Sequence, residues 1–126
     1  ENFRLATIIK GSDEDFDAVF GRQPAEKHAS ALQRINPNAL IFITLGAKGA
    51  LSAYRNRMFK KEALKVPVVS TIGAGDGFNA GVIAEIVNNR FTKGQLSYNI
   101  EKLLEGGIAF SAAVCNSADN YIPAKI

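Results

Sequence analysis

The sequence predicts an α/β protein in which part of a mainly parallel sheet is flanked by helices. Short β-rich apolar runs, clearest at residues 39–44, alternate with segments whose apolar residues recur at helical spacing. Glycine, proline and asparagine clusters punctuate the changes between them. In the middle, residues 39–44 and 50–54 are separated only by Leu45-Gly46-Ala47-Lys48-Gly49, a hairpin-like unit set in an otherwise alternating order.

Composition bounds the function. At 126 residues the chain is one domain by length, and 47% hydrophobic residues suffice for a real core. The net charge of +3 is spread out, with Lys60-Lys61 the only basic pair, so no nucleic-acid stripe is visible. No apolar run approaches membrane-spanning length and no signal peptide opens the sequence, which fits a soluble cytoplasmic protein. The lone Cys115, after Ala112, Ala113 and Val114, reads as a small core residue.

Residues 5–10 form a first apolar run of strand length, ended by Gly11. Ser12 then opens a short helix with Phe16, Val19 and Phe20 on one face and Gly21 closing it. Ser12 with Asp15 three residues on has the spacing of a capping box, with Asp in place of the usual Glu or Gln. Pro24 begins a second helix over residues 25–35, apolar at Ala25, Ala29, Leu32 and Ile35. His28, the only histidine, falls among Lys27, Gln33 and Arg34 and reads as solvated; no second His or other Cys is near to build a zinc site.

Asn36-Pro37-Asn38 is a loop, residues 39–44 and 50–54 are strands, and residues 58–64 add a third. After the extended run Val66-Pro67-Val68-Val69 comes a glycine turn and a helix carrying Phe78, Val82, Ile83, Ile86 and Val87, which ends near Asn88-Asn89-Arg90-Phe91. Thr92-Lys93-Gly94 reads as a loop, with Ser97 capping a last helix over residues 98–115. Ile100, Leu103, Leu104, Ile108, Phe110 and Val114 give that helix a wide apolar arc, and Gly106-Gly107 inside it points to close packing or a break.

The chemistry concentrates in Ser70-Thr71-Ile72-Gly73-Ala74-Gly75-Asp76-Gly77-Phe78-Asn79-Ala80-Gly81. Two glycines around an alanine let successive backbone N–H groups converge, and the following helix adds the positive end of its dipole. Asp76, in the first helical turn, stands beside this anion hole. A carboxylate there can take a proton from an attacking hydroxyl while the N–H groups hold the transferring phosphoryl group. A plain helix cap after a tight turn is the competing reading.

Thr71-x-Gly73-Ala74-Gly75-Asp76-x-Phe78 resembles the second signature of the ribokinase/PfkB family of carbohydrate and nucleoside kinases. The resemblance implies that Asp76 is the catalytic base and that Gly73, Ala74 and Gly75 form the anion hole. It implies a ribokinase-like layered fold, of which this chain is the C-terminal part. Thr44-x-Gly46-x-x-Gly49, otherwise a glycine turn between strands, resembles the family's nucleotide loop, which places Thr44, Gly46 and Gly49 near the ATP phosphates; Lys48 reads equally as a point charge that reaches phosphate and as a solvated turn lysine. The family's Asn-x-x-Glu motif falls at Ser12 and Asp15, implying an indirect role for Asp15 in organising Mg²⁺. Asn116 lies where some members contact the base or ribose, although Asn116-Ser117-Ala118-Asp119-Asn120 lacks the usual Gly-Ala pair. Tyr121-Ile122-Pro123 is similar to the family's terminal run. Ser70 stands where the family usually has Asp, and Ile72 where Thr or Asn is usual, which counts against a monovalent-cation site near this loop.

Family members are usually longer and begin with a glycine-rich first signature and a sugar-binding half with a small β-lid. Nothing in this sequence resembles those parts. Residues 1–126 are therefore expected to be the C-terminal nucleotide-binding and catalytic portion, without the substrate half and lid. The implied activity is ATP- and Mg²⁺-dependent phosphorylation of a sugar hydroxyl, fructokinase- or ribokinase-like. A nucleoside kinase of the same superfamily and a non-catalytic nucleotide-binding fragment are the alternatives. The implied partners are ATP and a small sugar, with no nucleic acid or membrane, and with homodimers, commonly built through the lid, an expectation for the full-length protein only.

Overall fold

The structure, a computed structural model, describes residues 6–65 and 73–116. It contains two compact units, Glu1–Lys61 and Glu62–Ile126. The predicted extended run at Val66-Pro67-Val68-Val69, the signature residues Ser70, Thr71 and Ile72, and the Tyr121-Ile122-Pro123 run lie outside the described residues.

The first unit runs β1 (Ile8–Ser12), α1 (Asp13–Phe20), α2 (Ala25–Ile35), β2 (Leu40–Thr44), a 3-10 turn (Gly46–Lys48), β3 (Ala50–Tyr54) and β4 (Arg57–Lys61). The strands form one sheet in the order β1-β2-β3-β4. β1 and β2 are parallel, with Ser12 opposite Thr44; β2–β3 and β3–β4 are antiparallel. The parallel pair is joined through two helices, as a parallel crossover requires, and the hairpin by short turns. Strand alternation sends Ile41, Ile43, Leu51 and Ala53 into one core with Ile9, Phe16, Ala29 and Leu32, so α1 and α2 cover that face. Leu40, Phe42, Ala50 and Ser52 point the other way and are buried as well. Each fully buried large side chain here contributes roughly 1.5–3 kcal/mol relative to exposure.

Two expectations change in this unit. β1 does not stop at Gly11 but runs through it to Ser12. A Cβ on Gly11 would stand 2.8 Å from the Phe16 ring, so the glycine lets α1 fold back onto the strand that precedes it. His28 is not solvated but wholly buried. Its Nε2 lies 2.7 Å from Asp17 Oδ1, and the rings of Phe16 and Phe20 flank it with centroids 6.0 Å away. A polar ring can be buried when a partner satisfies it, and here the partner comes from the neighbouring helix.

The second unit holds α3 (Ala74–Asn88), a 3-10 turn (Lys93–Tyr98) and α4 (Ile100–Cys115). α3 and α4 meet through glycine. A Cβ on Gly81 would collide with the Gly106 carbonyl oxygen and come within 2.8 Å of the Gly107 Cα. Gly107 in turn receives the Phe78 ring, where a Cβ would stand 2.7 Å from it. The Gly106-Gly107 pair thus marks close packing rather than a break. The buried face of α3 is Gly77, Phe78, Gly81 and Val82, whereas Ile83 and Val87, read as part of the apolar face, are exposed. Small residues set this contact, so apolar size alone misplaces the face. Ser97 does not cap α4: it lies inside the 3-10 turn, and Asn99 precedes α4. Thr92 opens that turn instead, its N–H donating to Gln95 Oε1 at 2.8 Å. Among the described residues no helix is long and apolar enough to cross a membrane.

Candidate active site

In the first unit the parallel pairing places Ser12 and Thr44 side by side at the carboxyl ends of β1 and β2. That edge of a parallel sheet is where α/β proteins commonly bind ligands. Beyond Thr44 the chain closes a compact loop, with the Leu45 N–H donating to the Gly49 carbonyl at 2.8 Å and the Gly49 N–H to the Gly46 carbonyl at 3.1 Å. Gly49 has φ 104° and ψ −132°, a region essentially reserved for glycine. Gly46 and Lys48 are exposed at the tip.

Beyond Ser12 the capping box is complete. The Asp15 N–H donates to Ser12 Oγ at 3.0 Å, and the Ser12 N–H donates to Asp15 Oδ2 at 3.0 Å. The Ser12 backbone N–H, helped by its hydroxyl, holds the Asp15 carboxyl below the usual carboxylate range. Sequence order separates Asp15 from Thr44 by 29 positions, and the sheet brings their turns together. Among the described residues no three His, Cys, Asp or Glu side chains cluster as metal ligands. Asp15 alone, with one oxygen engaged by its own helix, fits an outer-sphere role toward a hydrated Mg²⁺ rather than a direct ligand set.

In the second unit Gly73, Ala74, Gly75 and Asp76 share one helical turn. Gly73 caps α3 in the left-handed conformation, φ 84° and ψ 0°, and the Gly77 N–H makes a ladder bond to its carbonyl at 2.8 Å. Gly73, having no side chain, brings no cap of its own to this end. The N–H groups of a first helical turn have no carbonyl of their own helix to bond. Asp76 is the third residue after the cap and is exposed. α4 backs this turn, with Val114 3.3 Å from where a Gly73 Cβ would stand. Asn116, two residues past Val114, is exposed, its N–H returned to the Ala112 carbonyl at 3.0 Å. The start of α3 and the end of α4 are therefore neighbours, which gathers Gly73, Ala74, Gly75, Asp76 and Asn116 at one end of the helix pair.

Sequence reasoning missed the Asp17–His28 contact. The His28 ring, and then the Gln23 N–H, hold the Asp17 carboxyl below the usual carboxylate range. Eleven residues and a helix boundary separate the pair, a spacing with no periodic signature.

The family model of pfkB carbohydrate kinases matches residues 1–125. A fructokinase of Rhizobium leguminosarum bv. trifolii is 40% identical over 102 residues, covering 79% of this chain and 31% of that protein. Crystal structures of two kinases superpose well. The fructokinase of Vibrio cholerae O395, bound to fructose, ADP and calcium, gives a TM-score of 0.80 at 26% identity, over 93% of this chain and 37% of that one. The aminoimidazole riboside kinase of Salmonella enterica gives 0.79 at 25% identity, over 97% and 40%. The chain spans 31% or less of the first three curated relatives it matches. Sequence signature, fold and relatives agree, and the chain belongs to the pfkB family of carbohydrate kinases.

Proposed function

We propose that this chain is the nucleotide-binding, catalytic portion of a kinase that transfers the γ-phosphoryl group of ATP to a hydroxyl of a sugar. The observation that carries the reading is the start of α3: a glycine cap in the left-handed conformation and an exposed aspartate in the first turn. Family membership gives that geometry its chemistry.

Asp76 takes the proton of the acceptor hydroxyl as its oxygen bonds to the γ-phosphorus. The bond from that phosphorus to the bridging oxygen breaks, and its electron pair leaves with ADP. The amides of Gly73, Ala74 and Gly75 hold the charge on the transferring group, where the helix dipole also favours it. The Thr44 to Gly49 loop holds the nucleotide phosphates through backbone and hydroxyl, and Asn116 meets the nucleoside end. Mg²⁺, when bound, neutralises phosphate charge, and Asp15 orients its water shell. The likeness to a fructokinase and to an aminoimidazole riboside kinase is nearly equal, so the acceptor is a sugar or the ribose of a nucleoside. The reading places the reaction in the cytoplasm, and the isolated 126-residue chain is expected to bind nucleotide without turning over sugar.

The test is Asp76→Asn in the full-length protein. Turnover should fall by about 10²–10⁴-fold while nucleotide affinity changes little. Near-normal turnover would remove Asp76 from the role of base and favour a plain helix cap.

A further inference from the structure

α1 is a short helix of eight residues, Asp13–Phe20, and only Phe16 among them is buried. Val19 is 58% exposed. Helices this short are marginal without tertiary support, so whatever ties α1 down decides where its first turn points. One tie is Phe16 on Gly11. The other is polar. His28, on the first turns of α2, has no exposed surface, and its Nε2 meets Asp17 Oδ1 at 2.7 Å. Its Nδ1 has no hydrogen-bond partner. An ionised carboxylate only accepts, so Nε2 is the donor of this bond to Asp17. Asp17 also closes the α1–α2 connection, accepting the Gly21 N–H on its carbonyl at 2.9 Å and the Gln23 N–H on Oδ1 at 3.3 Å.

We propose that His28 is a positioning residue: through Asp17 it fixes α1 from its far side, so that the Ser12/Asp15 box at its start keeps one orientation beside Thr44. The inference rests on the kinase reading for what the box does, and on geometry alone for what holds it. His28 hydrogen-bonds Asp17 and not the box residues, which bond each other, and it acts through α1. A buried histidine retained with one ring nitrogen unpartnered is a poor choice for packing, since a leucine would fill similar space without that cost. Its use lies in the directional bond, which fixes the rotation of α1 where apolar contacts with Phe16 and Phe20 would tolerate several.

The experiment compares His28→Leu and His28→Gln in the full-length protein. The readouts are amide exchange at Asp15 relative to Ile43 in the sheet core, and the Mg²⁺ concentration for half-maximal turnover. His28→Leu should speed Asp15 exchange about tenfold relative to Ile43 and raise the Mg²⁺ requirement several-fold, with a smaller effect on kcat. His28→Gln, which keeps a donor within reach, should restore most of both. A merely structural histidine would lower stability while Asp15 and Ile43 changed in step and the Mg²⁺ requirement held, and that result overturns the proposal. If His28→Leu does not fold, Asp17→Ala removes the acceptor of the same bond from the half-exposed side and is read identically. Should Asp76→Asn retain turnover, only the base assignment falls; should the full-length protein show no turnover at all, the kinase reading falls, and the Asp15 exchange ratio still decides whether His28 positions the turn.

Discussion

Asp15 and Asp76 occupy the same place in two different helices, the third residue after the cap, and the cap residue decides what each carboxylate does. In α1 the cap is Ser12, whose hydroxyl accepts the Asp15 N–H while the Asp15 carboxylate accepts the Ser12 N–H. In α3 the cap is Gly73, which has no side chain to reciprocate and turns the chain at φ 84°. Asp76 stays exposed. The supports differ in the same sense. α1 is held by side chains, Phe16 and Asp17, whereas α3 is held by main chain laid on main chain at Gly81 and Gly106. The helix start with the glycine cap is fixed from behind by close backbone packing, and the one with the serine cap by side chains.

The sharpest way to break this contrast is Gly81→Ala. In an exposed helix the change would stabilise by about 1 kcal/mol. At the α3–α4 crossing the new methyl meets the Gly106 carbonyl and the Gly107 Cα, backbone atoms that cannot rotate aside. Overpacking of this kind costs about 3 kcal/mol, so a large loss in the urea midpoint is expected. An unchanged midpoint would mean that α3 is not held by this contact. Gly73→Ala should cost less, about 1–2 kcal/mol for a side chain in the left-handed region. Val114, 3.3 Å away, can yield because it is a side chain. Equal losses for the two variants, measured by the same denaturation, would erase the distinction between a glycine needed for its conformation and one needed for its size.

How much of this was legible in the sequence follows from the range of each signal. Local signals carried through: the Ser12/Asp15 box, Gly21 closing α1, the hairpin around residues 45–49, and Asp76 in the first turn of α3 are all set within a few residues of chain. The pairing of Ser12 with Thr44 needed the sheet, although the alternating order of strands and helices pointed to it. What failed was judgement of faces. Ile83 and Val87 looked like core because they are apolar, but glycine at positions 77 and 81 lets α4 approach the opposite side so closely that size loses to shape. His28 looked solvated because its neighbours along α2 are polar, while its partner Asp17 comes from another helix. Tertiary partners of buried polar groups leave no periodic trace.

The smallest expected effect tests the self-satisfied helix. Ser12→Ala removes the hydroxyl that caps Asp15 and should cost about 1 kcal/mol. Its pH dependence distinguishes a working box from an incidental contact. The Asp15 carboxyl is held low first by the Ser12 backbone N–H and then by the Ser12 hydroxyl. A carboxyl whose pKa is lower folded than unfolded adds stability that is fully present above its unfolded value, about 3.9, and is lost as pH falls through the folded one. The native chain should therefore keep α1 intact at neutral pH and lose this contribution only below about pH 4. Ser12→Ala keeps the backbone bond, so the acid-side loss should shrink without vanishing, a result readable from unfolding midpoints across pH 2–7. An acid-side slope unchanged in Ser12→Ala would show that the hydroxyl does not hold the carboxylate, and that the Ser12 backbone N–H does so by itself.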